Sequence, residues 1–229
     1  MNRVRLCSHL LAGLSCWLFL SGCISVDIQT KAGRDLSGSR TYRITLEPML
    51  ARFYRSGAPG KMFDFPGQDL EKQKGVSAVS KQEIEAKDGS LELVWSYRSS
   101  RLDNFSSETD TVIFSKRAVK WWIYYSYYER YLPRRDTSNI PAAGSTWLKN
   151  SLTLPGQVYS SNGDSLSGSQ IVWLRSMDAS ARGGLMMTAQ SREINPLLLV
   201  LLPVFLGVIF YFLLKYRIKS VNRSPSAGT

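Results

Sequence analysis

Alternation of apolar and polar positions marks the middle of the chain as strand-rich. Ile24-Ser-Val-Asp-Ile-Gln-Thr30 changes side at every residue, and Arg40-Thr-Tyr-Arg-Ile-Thr-Leu46 does so again after a turn-rich stretch, Ala32 to Ser39. A period of two is the mark of a half-buried strand, so the pair predicts an opening hairpin. Gln82–Lys87 and Ser90–Arg98 flank Asp88-Gly89, a dipeptide suited to the positive φ angles of a tight type I′ turn. Thr109–Ser115, Ala118–Arg130, Leu152–Gly156, Gln170–Leu174 and Leu185–Ala189 complete the set of short strands. Short helices are predicted over Glu47–Tyr54 and Phe65–Lys74, with Pro/Gly-rich loop from Gly57 to Gly67 between them. The fold class is mainly β or α+β: an antiparallel sheet curled into a barrel-like domain with one or two short helices.

The pattern changes at both ends. Arg3 and Arg5 precede an apolar stretch, Leu10 to Leu20, which breaks at Ser21-Gly22 before Cys23. A basic start, an apolar run of this length and small residues before the break make a secretory signal rather than a span. Leu20-Ser21-Gly22-Cys23 has the form of a lipoprotein signal, with cleavage leaving an acylated Cys23 as the new N-terminus. The competing readings are ordinary cleavage nearby or an uncleaved anchor. From Pro196 to Leu214, nineteen residues carry no charge. At about 1.5 Å per residue, such a helix approaches the roughly 30 Å of a bilayer's hydrocarbon core. The tail beyond it holds Lys215, Arg217, Lys219 and Arg223 and no acid, which places it in the cytoplasm. The expected order is signal 1–22, extracytoplasmic domain 23–195, transmembrane helix 196–214 and basic cytoplasmic tail 215–229. The address is the bacterial cell membrane.

Composition narrows the chemistry. The net charge is +11, but of 29 basic residues two lie in the signal and four in the tail. That leaves 23 bases against 18 acids in between, an excess of five that suits anionic headgroups better than nucleic acid. The single histidine, His9, and two of the three cysteines, Cys7 and Cys16, fall in the signal. Cleavage removes them, and with them Ser-His-Asp and Cys-His catalysis, histidine-ligated zinc and any disulfide framework. No catalytic residue, cofactor or metal is expected, and an enzyme would have to use carboxylate, Ser-Lys or Tyr chemistry.

Trp121-Trp-Ile-Tyr-Tyr-Ser-Tyr-Tyr128 puts large rings on both faces of a strand. One reading is a central strand covered on both sides. The other is a face that lines a lipid-accepting cavity or rests at headgroup level, where Trp and Tyr prefer to sit. Lys116, Arg117, Lys120, Arg130, Arg134 and Arg135 flank the run, and an amphipathic helix through Trp121, Tyr124, Tyr125 and Tyr128 is the third possibility. Candidate headgroup contacts are Trp121, Trp122, Tyr124, Tyr125, Lys120 and Arg130.

Leu154-Pro-Gly-Gln-Val-Tyr-Ser-Ser-Asn-Gly163, followed by Gly168 and Ile171-Val-Trp173, resembles the closing portion of the LppM-type bacterial lipoprotein domain. Cys23 running straight into an alternating strand resembles its opening. The resemblance implies a small barrel-like α+β domain, related in shape to streptavidin-type barrels, with amphiphilic envelope glycolipids as ligands and no catalytic residues. It does not extend to the aromatic run. Read without it, Pro155-Gly156 and Asn162-Gly163 are turn formers and Trp173 is a core residue. The expected function is a non-enzymatic tethered domain that binds membrane lipids or glycolipids. The alternative is an interaction module docking on another envelope protein.

Overall fold

The structure is a computed structural model that describes residues 24–57, 65, 67–68, 70–107, 110–131, 147–176 and 184–221. Leu20, Ser21, Gly22 and Cys23 lie outside the described residues, as do Arg134, Arg135 and the tail beyond 221.

Strand β1 (Ile24–Ala32) buries Val26, Ile28, Thr30 and Ala32 and pairs antiparallel with β2 (Gly38–Leu46), from Ile24↔Leu46 to Ala32↔Gly38. Helix α1 (Pro48–Arg55) follows with its proline in the first turn, where a missing N–H costs nothing. The second expected helix shrinks to one 3₁₀ turn, Leu70–Lys72. Gly67 and Gly75 bound it at φ 84° and 82°, a left-handed backbone that a helix cannot continue through. Strands β3 (Val76–Glu85) and β4 (Leu91–Ser99) form the predicted hairpin, with a different turn. Gly89 N donates to Ala86 O at 3.0 Å, and only Gly89 has positive φ. Asp88 instead accepts from Ser90 N and Oγ at 2.9 and 2.7 Å, so its side chain closes a longer connection.

The chain then builds β5 (Asp110–Val119), β6 (Trp122–Tyr131), β7 (Trp147–Thr153), β8 (Gln157–Ser161), β9 (Ser165–Ser167), β10 (Gln170–Ser176) and β11 (Leu185–Ile194) before helix α2 (Pro196–Val221). The strands make two sheets, ordered β3-β4-β2-β1-β7-β10-β9 and β5-β6-β11-β8. The expected single antiparallel sheet curled toward a barrel is corrected on two counts. Among the described residues the sheets do not close, and β1 and β7 run parallel, Ser25↔Trp147 to Lys31↔Thr153. A parallel neighbour needs a long crossover, here the whole path from β2 to β6, which local alternation cannot reveal.

The turn formers of the closing segment are corners between sheets, not hairpins. Gly156, at φ 74°, lets the chain pass from β7 to β8 beneath Arg192, whose carbonyl oxygen would lie 2.4 Å from an added Cβ. Asn162 brings the chain back. Its Oδ1 accepts from Trp173 Nε1 and Thr188 N at 2.8 Å each, and its Nδ2 donates to Met186 O at 2.8 Å. Trp173 is buried, as expected of a core residue.

The core lies between the sheets. Val26, Ile28, Leu148, Leu152 and Ile171 of the large sheet belong to one apolar cluster with Val112, Phe114, Tyr125, Met187 and Ala189 of the small one. Ala51 of α1, with Phe65 and Leu70, covers the β2–β4 part, where the rings of Phe65 and Trp95 are 6.3 Å apart. Helix α2 is exposed along Pro196–Lys215 and is long and apolar enough to cross a membrane.

Candidate lipid-facing surface

Strand β6 decides which aromatic residues are available. Ile123, Tyr125, Tyr127 and Glu129 point into the core, and Trp122, Tyr124, Ser126, Tyr128 and Arg130 occupy the outer face. Tyr125, expected as a headgroup contact, is instead a core residue. It lies parallel to Phe114 at 6.0 Å, and its hydroxyl donates to Glu193 Oε1 at 2.7 Å. Lys120 and Trp121 are not in a strand: Val119 pairs with Trp122, so these two form the β5–β6 turn. Trp121 is 59% exposed there. Arg130 lies eight residues from Trp122, about 27 Å along the strand. The six candidates therefore do not make one pocket. Trp122 and Tyr124 share a face, Lys120 and Trp121 cap one end of it, and Arg130 marks the other.

That turn stands where the apolar helix begins. Ile194 pairs with Trp122, and Asn195 N donates to Trp121 O at 2.9 Å, one residue before α2. The β1–β2 turn is at the same end: Arg34 Nη2 lies 2.9 Å from Glu193 Oε2, and Lys116 Nζ donates to Arg34 O at 2.7 Å.

Ser115, Ser126, Gln190 and Ser160 fall in one register across all four strands of the small sheet. Among larger neighbours these side chains floor a depression of about 240 Å³, also lined by Ile113, Tyr128 and Thr188. The adjoining row toward α2 holds Arg117, Tyr124 and Arg192. The Arg192 guanidinium lies 4.7 Å from the ring centre of Trp122 and 5.7 Å from that of Tyr159, two cation–π contacts that fix it in place. Tyr159 meets Tyr124 edge-on at 6.3 Å and donates to Gln190 Oε1 at 2.9 Å. A hydroxyl floor beside Tyr128, with a ring-held guanidinium in the next row, suits a polyol or phosphate headgroup. Sequence reasoning missed the floor. Its signal was Ser126, the one small residue in the outer phase of the aromatic run.

A larger groove, about 590 Å³, crosses the outer face of the large sheet and is lined by Lys31, Ser39, Ser77 and Arg98 together with Gly33, Gly38 and Gly75. It holds no aromatic side chain, and glycine and serine leave it shallow walls.

A third polar constellation is closed to ligands. Arg40 is fully buried and donates to Thr30 Oγ1 at 3.0 Å, Asp110 Oδ2 at 3.0 Å, Tyr127 Oη at 3.1 Å and Tyr42 Oη at 3.4 Å. Glu129 Oε1 lies 3.0 Å from it, and Glu129 Oε2 accepts from the Tyr127 hydroxyl and, at 3.4 Å, from Asn150 Nδ2. Burial holds the Asp110 carboxyl well above the usual carboxylate range, and the neighbouring Glu129 adds to the effect. This cluster ties the two sheets together. Among the described residues no group of His, Cys, Asp or Glu side chains is placed to hold a metal ion.

Together these features define a two-sheet β domain that continues through one strand into a single apolar helix. No protein-family model matches the chain, and no curated protein matches it. Among solved structures it is similar to the folded domain of LppM from Mycobacterium tuberculosis, determined by NMR. The identity is 17% and the TM-score 0.39, over 76% of this chain and 91% of that one.

Proposed function

We propose that the chain is a membrane-tethered lipoprotein whose extracytoplasmic domain is non-enzymatic and binds the polar headgroup of an envelope lipid or glycolipid. Cys23 carries the acyl anchor, α2 spans the same membrane, and the basic tail lies in the cytoplasm. The observation that carries this reading is the depression over Ser115, Ser126, Gln190 and Ser160, lined also by Tyr128, with Tyr124 and Arg192 in the adjoining row of the sheet that leads into α2. Hydroxyls and an amide hydrogen-bond to a headgroup, and the tyrosine rings and the arginine hold its apolar and anionic parts. The polar cluster around Arg40, by contrast, is sealed from solvent.

The test is lipid co-purification. Full-length protein extracted in mild detergent, analysed by mass spectrometry, is expected to carry a defined lipid. Ser126→Leu, which fills the depression from an exposed position, is expected to reduce that lipid at least tenfold with circular dichroism unchanged. Equal lipid on both proteins would remove the depression as the site. A lipid-free wild-type protein that captures one envelope protein through Trp121 would favour an interaction module instead.

A further inference from the structure

The outer face of the small sheet has a composition that the bound headgroup alone does not require. It comprises Thr111, Ile113, Ser115, Arg117 and Val119 of β5, and the Trp122-to-Arg130 row of β6. Met186, Thr188, Gln190, Arg192 and Ile194 of β11 and Tyr159 of β8 complete it. None of these positions is acidic. Ile113, Met186 and Ile194 are 53%, 56% and 51% exposed, so apolar side chains stand in solvent beside Arg117, Arg130 and Arg192. The opposite outer face, on the large sheet, is built differently. Ser39, Thr41, Ser77, Ser80, Ser96 and Gln29 lie there with exposed Ile84, Trp147 and Leu174. It also carries carboxylates: Glu92 pairs with Arg43 at 3.0 Å and Asp27 lies 3.7 Å from Lys149, while Lys31 and Arg98 line its groove. The large sheet's outer face is rich in hydroxyls and carries carboxylates; the small sheet's is aromatic and basic and has no acid.

The chain's own path says what covers the second side. β11 crosses that face and enters α2 after one residue, so the face is continuous with the membrane-spanning helix. The other attachment is far away. Arg34 holds the β1–β2 turn against Glu193, next to α2, and β1 runs from that turn back to Ile24. Eight steps of about 3.3 Å put Ile24 roughly 26 Å from the turn. Cys23 adjoins Ile24 directly, and α2 follows Ile194 with only Asn195 between, so neither attachment has a linker to span that distance. A domain standing upright on α2 would lift Cys23 out of reach of the lipid.

We infer that the outer face of the small sheet docks on the anionic bilayer that α2 crosses, so that the domain lies along the membrane with its hydroxylated face turned away. Helix α1 supports the far end. It starts two residues after Leu46, the partner of Ile24, and presents Met49, Arg52 and Phe53 on one exposed face. The tether part of this argument rests on the proposed acylation of Cys23; the composition of the face does not.

The test places a bimane probe on single introduced cysteines, Ile113→Cys, Met186→Cys and Gln29→Cys, in the full-length protein. Each is reconstituted into nanodiscs of phosphatidylcholine with 30% phosphatidylglycerol. Probes at 113 and 186 are expected to be quenched by doxyl-labelled lipid at least three times more than the probe at 29. Arg117→Glu with Arg130→Glu is expected to halve that difference, with circular dichroism unchanged. Equal, weak quenching at all three sites would overturn the proposal. Acyl labelling of Cys23 in the same samples separates the two readings. Quenching at 113 and 186 without acylation keeps the docking face and removes the lipid anchor, and acylation without quenching does the reverse.

Discussion

Arg40 occupies a position where alternation calls for an apolar side chain. It is in phase with Tyr42, Ile44 and Leu46, just as Glu129 is in phase with Tyr125 and Tyr127, and Asn150 with Leu148 and Leu152. A polar residue in an inward phase is the signal of a buried network, one that the sequence reading passed over on all three strands. What the sequence could not supply was their meeting, which depends on how the sheets stack. Arg40→Met would leave Asp110 and Glu129 buried without a cation, and is expected to cost about 3–5 kcal/mol in thermal or denaturant unfolding. Asp110→Asn should behave in the opposite manner. The native Asp110 carboxyl titrates well above its ordinary value of 3.8, so its acid form is favoured by folding. That contribution is fully present below pH 3.8 and is lost as pH rises through the raised native pKa. The wild type should therefore lose stability relative to Asp110→Asn as pH rises from acid to neutral, measured by unfolding midpoints across a pH series. A constant difference across the series would show that folding does not shift the Asp110 carboxyl.

At the scale of elements, the strands with clean alternation were legible: β1, β2 and the β3–β4 hairpin; which face of β6 is buried was not, because large rings occupy both phases. Helix α1 was also placed within a residue, because proline marks its first turn. The short polar strands β8 and β9 were not, since Gln157–Ser161 and Ser165–Ser167 contain too few apolar positions to show a period. Sheet membership was equally hidden. Pro155-Gly156 and Asn162-Gly163 read as turns in any local analysis, and only the contacts of Arg192 and Trp173 make them corners. Gly156→Ala tests the first corner. Its φ of 74° disfavours any Cβ, and the obstacle is the Arg192 backbone rather than a side chain that can move. The expected loss is at least about 2 kcal/mol, read as a lowered unfolding midpoint. A neutral result would mean that the corner relaxes freely. The candidate surface was half legible: the aromatic residues were visible, but the serine and glutamine floor emerges only from register across four strands.

At the scale of the molecule, the proposed attachments are independent, and their removal should show it. Cys23→Ser leaves α2 in place, and a stop codon after Asn195 leaves the acyl chains. Each variant is expected to remain in the membrane fraction of lysed cells. Only the double variant should appear in the soluble extracytoplasmic fraction. Release by Cys23→Ser alone would refute a spanning role for α2, and release by truncation alone would refute a firm lipid anchor.

Both attachments also join the domain through strands flanked on each side. β1 lies between β2 and β7, and β11 between β6 and β8. β11 makes ten registered pairs with β6, and β1 makes nine with β2. Tension drawn through the membrane therefore loads these ladders in shear, so that many hydrogen bonds must fail together instead of unzipping one at a time. With both proposed attachments on interior strands, a pull from the membrane would meet the whole ladder rather than its last bond.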